Sequence, residues 1–371
     1  MVIGIDGNEA NVEKQVGVSV YTKNLLFWFA KYSSESIQVK VYLRSKPIQG
    51  MPAETQWFTY EQVSGPFLWT KVFLPIRLFT ARSIDVFFSP AHYVPAYCPV
   101  PLIVTIHDLA YFYFPDEFLK KDLYKLKSWT EKSLVQAHKV IAVSKTTKKD
   151  IIKFYGTPTE KISVIYNGFE KETPAKGKIS IFKSLADQLK IEKGKYLLYV
   201  GTLQPRKNIK TLIQAFAQCK DQTFNKLVIA GKKGWMYDDI LNEAERLHIH
   251  DSVVFTGYIP DEEVISLYQN AFCFVMPSLY EGFGIPVLEA MSQGCPVISS
   301  FASSLPEVGG DGCLYFDPTN PKELAEKLVL LDTHKNMRNE LIAAGKKIIK
   351  SYSWEQCAEE TFKVLTQAAN R

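Results

Sequence analysis

The stretch LYEGFGIPVLEA, Leu279 to Ala290, sets Glu281 and Glu289 eight residues apart, with Gly282, Gly284 and Pro286 between them in an otherwise apolar run. Farther upstream, YVGTLQPRKNIKTLIQAF carries Arg206 and Lys207 directly ahead of Asn208. Carboxylates accept from hydroxyls, guanidinium and ammonium groups neutralise phosphates, and glycines let a backbone approach a ligand closely. Together these residue types suit an anion that carries hydroxyls at both ends. A nucleoside diphosphate sugar is such a molecule: one carboxylate would accept from the ribose, the other from the sugar, with the diphosphate between them. As a bare spacing, two glutamates eight residues apart read as caps or solubilising groups, and an isolated Arg-Lys pair reads as a solvated loop. Position in the fold has to decide.

The elements supply that position. Short apolar, β-branched runs recur at VIGID, IQVKVYL, IDVFFSP, PLIVTIHD, KVIAVS and ISVIYN, with helical patterns such as VSVYTKNLLFWFAKY and KTTKKDIIKFYG between several of them. After a looser Lys/Glu/Gly-rich stretch the alternation restarts with YLLYVGT, KLVIAG, SVVFTG, AFCFVMPS and CPVISS. This pattern predicts an α/β protein with two doubly wound, mostly parallel sheets in tandem and a linker near residues 170–190. Such sheets bind ligands at the carboxyl ends of their strands, so the site is expected in a cleft between two facing domains.

Each candidate falls in a strand-exit loop. Arg206 and Lys207 follow a strand ending at Val200 and Gly201, at the start of a helix that Asn208 is expected to cap. LYEGFG leaves the strand AFCFVMPS. Pro286 suits a first helical turn, and the N–H groups of Phe283, Gly284 and Ile285 are expected to face a diphosphate. Glu289, one turn inside that helix, leans back toward the same place. In the first half, TIHDLAYF puts His107 and Asp108 after a buried strand, where a histidine either hydrogen-bonds a sugar or serves the structure alone. Gly17 precedes a helix and offers a further close approach. The last helix, SWEQCAEETFKVLTQAA, follows the completed second sheet and has no strand of its own to serve.

Composition narrows the classes. A chain of 371 residues with 46% hydrophobic content can bury two cores. Its six cysteines show no CxxC spacing and read as core residues of a reducing compartment. The start MVIGIDGNEA lacks the pattern of a secretory signal. Val86 to Ile106 is uncharged over a bilayer length, but four prolines break it into two strands and a loop. Residues 1–178 hold 23 Lys+Arg against 16 Asp+Glu, a net of +7. The remainder holds 21 against 23, a net of −2. The segment GPFLWTKVFLPIRLFTARS mixes Phe67, Trp69, Phe73 and Phe79 with Lys71, Arg77 and Arg82. It reads either as a surface for an anionic membrane or as a core helix with cationic ends. No G-x-G-x-x-G follows either first strand, and no Walker loop and no D-x-D pair is present. Charge on a diphosphate is therefore expected to fall to Arg206, Lys207 and helix dipoles, with no metal. His248 and His250, the only close histidine pair, read as surface residues. No nucleic-acid partner is expected.

PSLYEGFGIPVLEAMSQGCPVISS, followed by SSLPEVGGDGCLYFDPTNPKELAEKL, resembles the signature of retaining glycosyltransferases of family 4, which have the GT-B fold of two Rossmann-like domains. VGTLQPRKNIKTLIQAF, AVSKTTKKDII, VIYNGF, TGYIPDEEV and TIHDL match in the same order, so the resemblance covers nearly the whole chain. IGIDGNEAN and the HD loop are most similar to the bacterial branch that includes mannosyltransferases of surface polysaccharides. The resemblance implies an acceptor-side domain over 1–175, a nucleotide-sugar domain over 176–351, and a terminal helix over 352–371 that crosses back to the first. It implies that Arg206 and Lys207 bind the diphosphate, Glu281 and His107 the donor sugar, Glu289 the ribose, and Tyr258 and Ile259 the base. Gly17, Asp108, Gly201, Gly282, Phe283, Gly284 and Ile285 complete the implied donor site. VGVSVY departs from the branch pattern T-G-[IV]-G-R-Y, with Ser19 and Val20 in place of the glycine and the arginine. The expected activity is retaining, metal-independent transfer of a hexose, mannose from GDP-mannose first, to a glycan or lipid-linked acceptor. The expected place is the cytoplasm, with peripheral attachment to the inner face of the cell membrane as a variant. UDP-glucose or another UDP-sugar as donor, a nucleotide-sugar epimerase, and a non-catalytic binder remain open alternatives.

Overall fold

The computed structural model describes residues 1–65, 68–81, 83–170, 178–219, 222–234 and 236–370. Two parallel sheets organise them. The first contains β1 (Val2–Asp6), β2 (Gln38–Leu43), β3 (Phe58–Gln62), β4 (Val86–Ser89), β5 (Leu102–Ile106), β6 (Lys139–Ala142) and β7 (Ile162–Val164), in the order β3-β2-β1-β4-β5-β6-β7. The second contains β8 (Tyr196–Val200), β9 (Lys226–Ala230), β10 (Val253–Gly257), β11 (Cys273–Met276), β12 (Val297–Ser300) and β13 (Cys313–Phe316), in the order β10-β9-β8-β11-β12-β13. Strand order reverses between β1 and β4 in one sheet and between β8 and β11 in the other. Loops leaving neighbouring strands at a reversal diverge, which opens a crevice for ligand at the carboxyl ends.

The apolar runs become strands because helices cover both faces of each sheet. β4, β5, β11 and β12 are buried along their whole length. The uncharged stretch from Val86 to Ile106 resolves into β4, a Pro-rich loop and β5, and no helix among the described residues is long and apolar enough to cross a membrane. β3 and β13 had no strand reading in the sequence. Both are edge strands with partly exposed residues, so their apolar signal is diluted.

By its contacts the chain divides into two compact units, residues 1–168 with 352–371, and 169–351. The closing helix Trp354–Ala369 belongs to the first. Its Trp354, Cys357, Ala358 and Leu365 join a core with Ile3, Ile5, Val41, Phe88 and Ile103. Phe362 packs against Phe29 of the helix Gly17–Tyr32 at 6.2 Å between ring centroids. The Leu, Ile, Val and Phe side chains among these contribute about 1.5–3 kcal/mol each once fully buried. The stretch read as a linker near residues 170–190 is corrected in part. A helix, Lys178–Leu189, forms there and buries Leu185, because ISIFKSLADQL has apolar residues at helical spacing. Residues 171–177 lie outside the described part.

Candidate active site

In the second unit the switch point brings two loops together. The loop after β8 runs through a 3-10 turn, Pro205–Lys207, and the loop after β11 runs from Pro277 to Gly284. Lys207 Nζ lies 2.6 Å from Glu281 Oε1, which also accepts from the Ser278 hydroxyl at 2.6 Å. Arg206 Nη1 lies 3.9 Å from Glu281 Oε2 and donates to the Tyr280 carbonyl at 3.4 Å. Glu281 is only 8% exposed. Two cations face one carboxylate, so the cluster holds one net positive charge beside the start of the helix Ile285–Ser292, where the dipole adds to it.

This loop is hung on the loop after β12. The Glu281 amide donates to the Ser303 hydroxyl at 2.8 Å, and the Ser304 hydroxyl donates to the carbonyls of Glu281 and Phe283, both at 2.9 Å. Ser278, Ser303 and Ser304 were not singled out in the sequence. Their only signal is a serine cluster directly after a buried strand. Gly284 takes φ +104°, and a Cβ there would lie 2.7 Å from Leu305 Cδ2, so the turn into the helix requires glycine. Pro286 occupies the first turn of that helix, as its position suggested. Gly201 sits at the exit of β8 against Gly231, where a Cβ on Gly231 would lie 1.9 Å from the Gly201 carbonyl oxygen.

Asn208 corrects an expectation. It takes φ +57°, and its side chain caps no helical amide. The left-handed backbone turns the amide group sideways, so that Nδ2 donates to the carbonyls of Pro277 at 3.0 Å and Pro318 at 2.7 Å. It thereby ties the exit of β8 to the exits of β11 and β13.

Glu289 is half-buried in the helix Ile285–Ser292 and accepts from the Tyr268 hydroxyl at 3.1 Å through Oε2. A lysine and a serine thus hold Glu281, and a phenol is among the groups that hold Glu289. Tyr258 and Ile259 follow the edge strand β10. Tyr258 is exposed, with Lys232 Nζ 4.7 Å from its ring centroid, and Ile259 is half-buried.

In the first unit His107 leaves β5. Its Nε2 lies 2.8 Å from the Pro90 carbonyl, and its amide donates to His92 Nε2 at 3.0 Å. The two rings stack at 5.9 Å with 16° between their planes. Burial first, then His92, pushes His107 down to about 4, against the Pro90 carbonyl and Asp108, which favour the charged form. His107 is therefore neutral at pH 7, with its proton on Nε2 and Nδ1 left as an acceptor. His92, from the Pro-rich loop, was not singled out in the sequence. Asp108 Oδ1 accepts from the Ala110 amide at 3.1 Å. Gly17 opens its helix, and nothing lies within 4 Å of where its Cβ would be, so packing does not demand glycine there. Asp6 ends β1 and accepts from the amide and the side chain of Asn8 at 3.1 and 2.7 Å. Burial raises its carboxyl to about 6.

The aromatic-basic segment divides between core and surface. Trp69 is fully buried and donates to the Val63 carbonyl at 2.6 Å, Phe73 is half-buried, and Arg77 pairs with Glu61. Phe67 and Arg82 lie outside the described residues. The apolar side chains that do face solvent are Leu68, Val72, Ile76 and Phe79, near one another on and just before the helix Phe73–Ala81. Among the described residues no group of three His, Cys, Asp or Glu side chains is placed to hold a metal.

Residues 17–173 match the family described as Glycosyltransferase Family 4, and residues 181–348 match Glycosyl transferases group 1. The chain is 32% identical over 261 residues to O-antigen chain mannosyltransferase B of Escherichia coli, covering 70% of this chain and 68% of that protein. It is 34% identical over 227 residues to O-antigen chain mannosyltransferase RfbU of Salmonella typhimurium, covering 60% of each. Among solved structures, sucrose-phosphate synthase of Thermosynechococcus elongatus superposes with a TM-score of 0.74 at 18% identity, over 99% of this chain and 98% of that one.

Proposed function

The chain belongs to the glycosyltransferases whose family 4 and group 1 domains it carries, with a GT-B fold, and on that premise we propose that it is a retaining, metal-independent hexosyltransferase. The donor is a nucleotide sugar, GDP-mannose first, and the acceptor is a glycan or a lipid-linked glycan. The observation that carries this reading is the cluster of Arg206 and Lys207 around Glu281 at the β8/β11 switch point, beside a helix start. Such a cluster suits a diphosphate flanked by hydroxyls. The names of the O-antigen relatives favour mannose, and UDP-sugars are the alternative donors.

In the proposed reaction the bond from the sugar C1 to the leaving phosphate oxygen breaks. The acceptor oxygen bonds to C1 on the same face, and its proton passes to the leaving phosphate. Arg206, Lys207 and the dipole of the helix Ile285–Ser292 stabilise the charge that develops there, so catalysis is chiefly positioning and electrostatics. Glu281, with His107 and Asp108, binds sugar hydroxyls. Glu289 binds the ribose, and Tyr258 and Ile259 contact the base. Gly17, Gly201 and Gly282 to Ile285 complete the donor site. The work is done in the cytoplasm, at the membrane surface, where a lipid-linked acceptor is found.

Thermal-shift screening against GDP, UDP and ADP, followed by NMR of the product anomer formed from the matching α-linked donor, tests the proposal. Stabilisation by one nucleoside diphosphate and an α-glycoside product are expected. A β-product overturns retention. Binding with no transfer to any acceptor and no donor hydrolysis supports the non-catalytic alternative.

A further inference from the structure

We propose that Tyr268 is a positioning residue for nucleotide binding, holding the Glu289 carboxylate in the orientation that receives the vicinal hydroxyls of a ribose. The inference rests on the ribose role proposed for Glu289. Tyr268 lies in the helix Asp261–Asn270 and is 1% exposed. Its ring meets Phe274 of β11 edge-on, with centroids 5.3 Å apart and planes at 71°. The ring therefore cannot swing without disturbing the core of the sheet. Its hydroxyl reaches across to Glu289 Oε2 on a different helix.

A glutamate has three rotatable side-chain bonds, and ordering it on binding forfeits rotamer entropy. A fixed donor that selects one rotamer beforehand reduces that loss, which is how pre-organisation raises affinity. The chemistry of the donor also matters. Burial, and next the Glu289 charge, pushes the phenol well above its ordinary range, so it stays protonated and donates at any working pH. A neutral donor orients the carboxylate without cancelling its charge. Glu281, by contrast, is held by the Lys207 ammonium.

Calorimetric titration of the wild type and of Tyr268→Phe separates this role from a merely structural one. The ligands are GDP and UDP, each beside its 2′,3′-dideoxy counterpart. Tyr268→Phe is expected to weaken the binding ribonucleotide about 5–10-fold and to leave the dideoxynucleotide unchanged. Equal losses on both ligands, or no loss on either, overturn the proposal. If the wild type does not distinguish ribo- from dideoxynucleotide, the ribose role of Glu289 has failed, a result separate from any effect of the phenol. Should Tyr268→Phe fail to fold, 4-fluorophenylalanine at position 268 fills the volume of the phenol without its O–H donor and leaves Glu289 unchanged. This variant is expected to lose the same discrimination, and a retained preference for the ribonucleotide overturns the positioning role.

Discussion

Lys207 and Glu281 lie 74 residues apart in the chain, yet their charged atoms meet at 2.6 Å, each side chain at least four-fifths withdrawn from solvent. The proposed phosphate cation is therefore oriented by the glutamate proposed to bind the sugar. Removing either cation should lower turnover at saturating donor. Arg206→Ala or Lys207→Ala is expected to lose about 2–4 kcal/mol of transition-state stabilisation, comparable to loss of an oxyanion donor. Steady-state kcat is the readout, and normal turnover by Lys207→Ala would exclude that role. Glu281→Ala should impair transfer more than it impairs nucleoside diphosphate binding, and equal losses would contradict the division between the two glutamates.

The same pair should couple in stability. Urea unfolding of Lys207→Met, Glu281→Gln and the double variant is expected to be non-additive by about 0.5–3 kcal/mol, because each single change removes a direct ionic partner from a largely buried group, leaving Glu281 only the Ser278 hydroxyl and the more distant Arg206. Additivity would mean that solvent screens the pair in spite of its burial.

Gly284→Ala should be destabilising on two counts. The residue must hold φ +104°, and its new methyl would press on Leu305 Cδ2 at 2.7 Å. Backbone strain of this kind costs about 1–3 kcal/mol. Leu305→Ala in the same chain should relieve the contact but not the backbone term, so nucleotide affinity recovers only in part. Full recovery in a binding titration would show that the clash alone mattered.

Two buried groups in the first unit should act oppositely on the pH dependence of stability. His107 falls from its ordinary 6.5 to about 4, so between those values the unfolded chain binds more protons. Its contribution is complete above about 6.5 and is lost as pH falls toward 4. Asp6 rises from 3.8 to about 6, so the folded chain binds more protons there. Its contribution is complete below 3.8 and is lost as pH rises toward 6. Both residues keep some exposed surface, so screening holds each contribution to about 1–3 kcal/mol. Asp6→Asn should raise stability at pH 7 relative to pH 4.5, and His107→Gln should lower it. Urea midpoints at the two pH values check the signs.

Leu68, Val72, Ile76 and Phe79 face solvent in a half of the chain with net charge +7, a combination that suits an anionic membrane surface. Wild type is expected to sediment with anionic liposomes at low salt, and Ile76→Asp with Phe79→Asp to remain in solution. Equal sedimentation of both proteins would place the contact elsewhere.

The alternation of strand and helix was legible because parallel strands covered on both faces read as unbroken apolar runs. The edge strands β3 and β13 escaped because half-solvated residues break that signal. Arg206, Lys207, Glu281 and Glu289 could be picked out in the chain because the strand pattern sets them in or just after strand-exit loops beside glycines. Tyr268, Ser278, Ser303, Ser304 and His92 could not. A buried tyrosine, a serine after a strand and a histidine among prolines look the same in sequence whether or not they hold a functional group.

Residue type and order alone thus determined the α/β class, the two sheets, the loops that carry charge and the helix start that Pro286 suits. Those properties follow from local spacing and from what each residue can bury. Tertiary structure decided that Lys207 would hold Glu281 and that Tyr268 would hold Glu289. It also decided that Asn208 would tie three strand exits instead of capping a helix, and that Trp69 would face the core. Each of these is a pairing of one side chain with a distant or unrelated backbone or side-chain group. Such pairings depend on which strands become neighbours at the reversal of the sheet, and no local pattern encodes that.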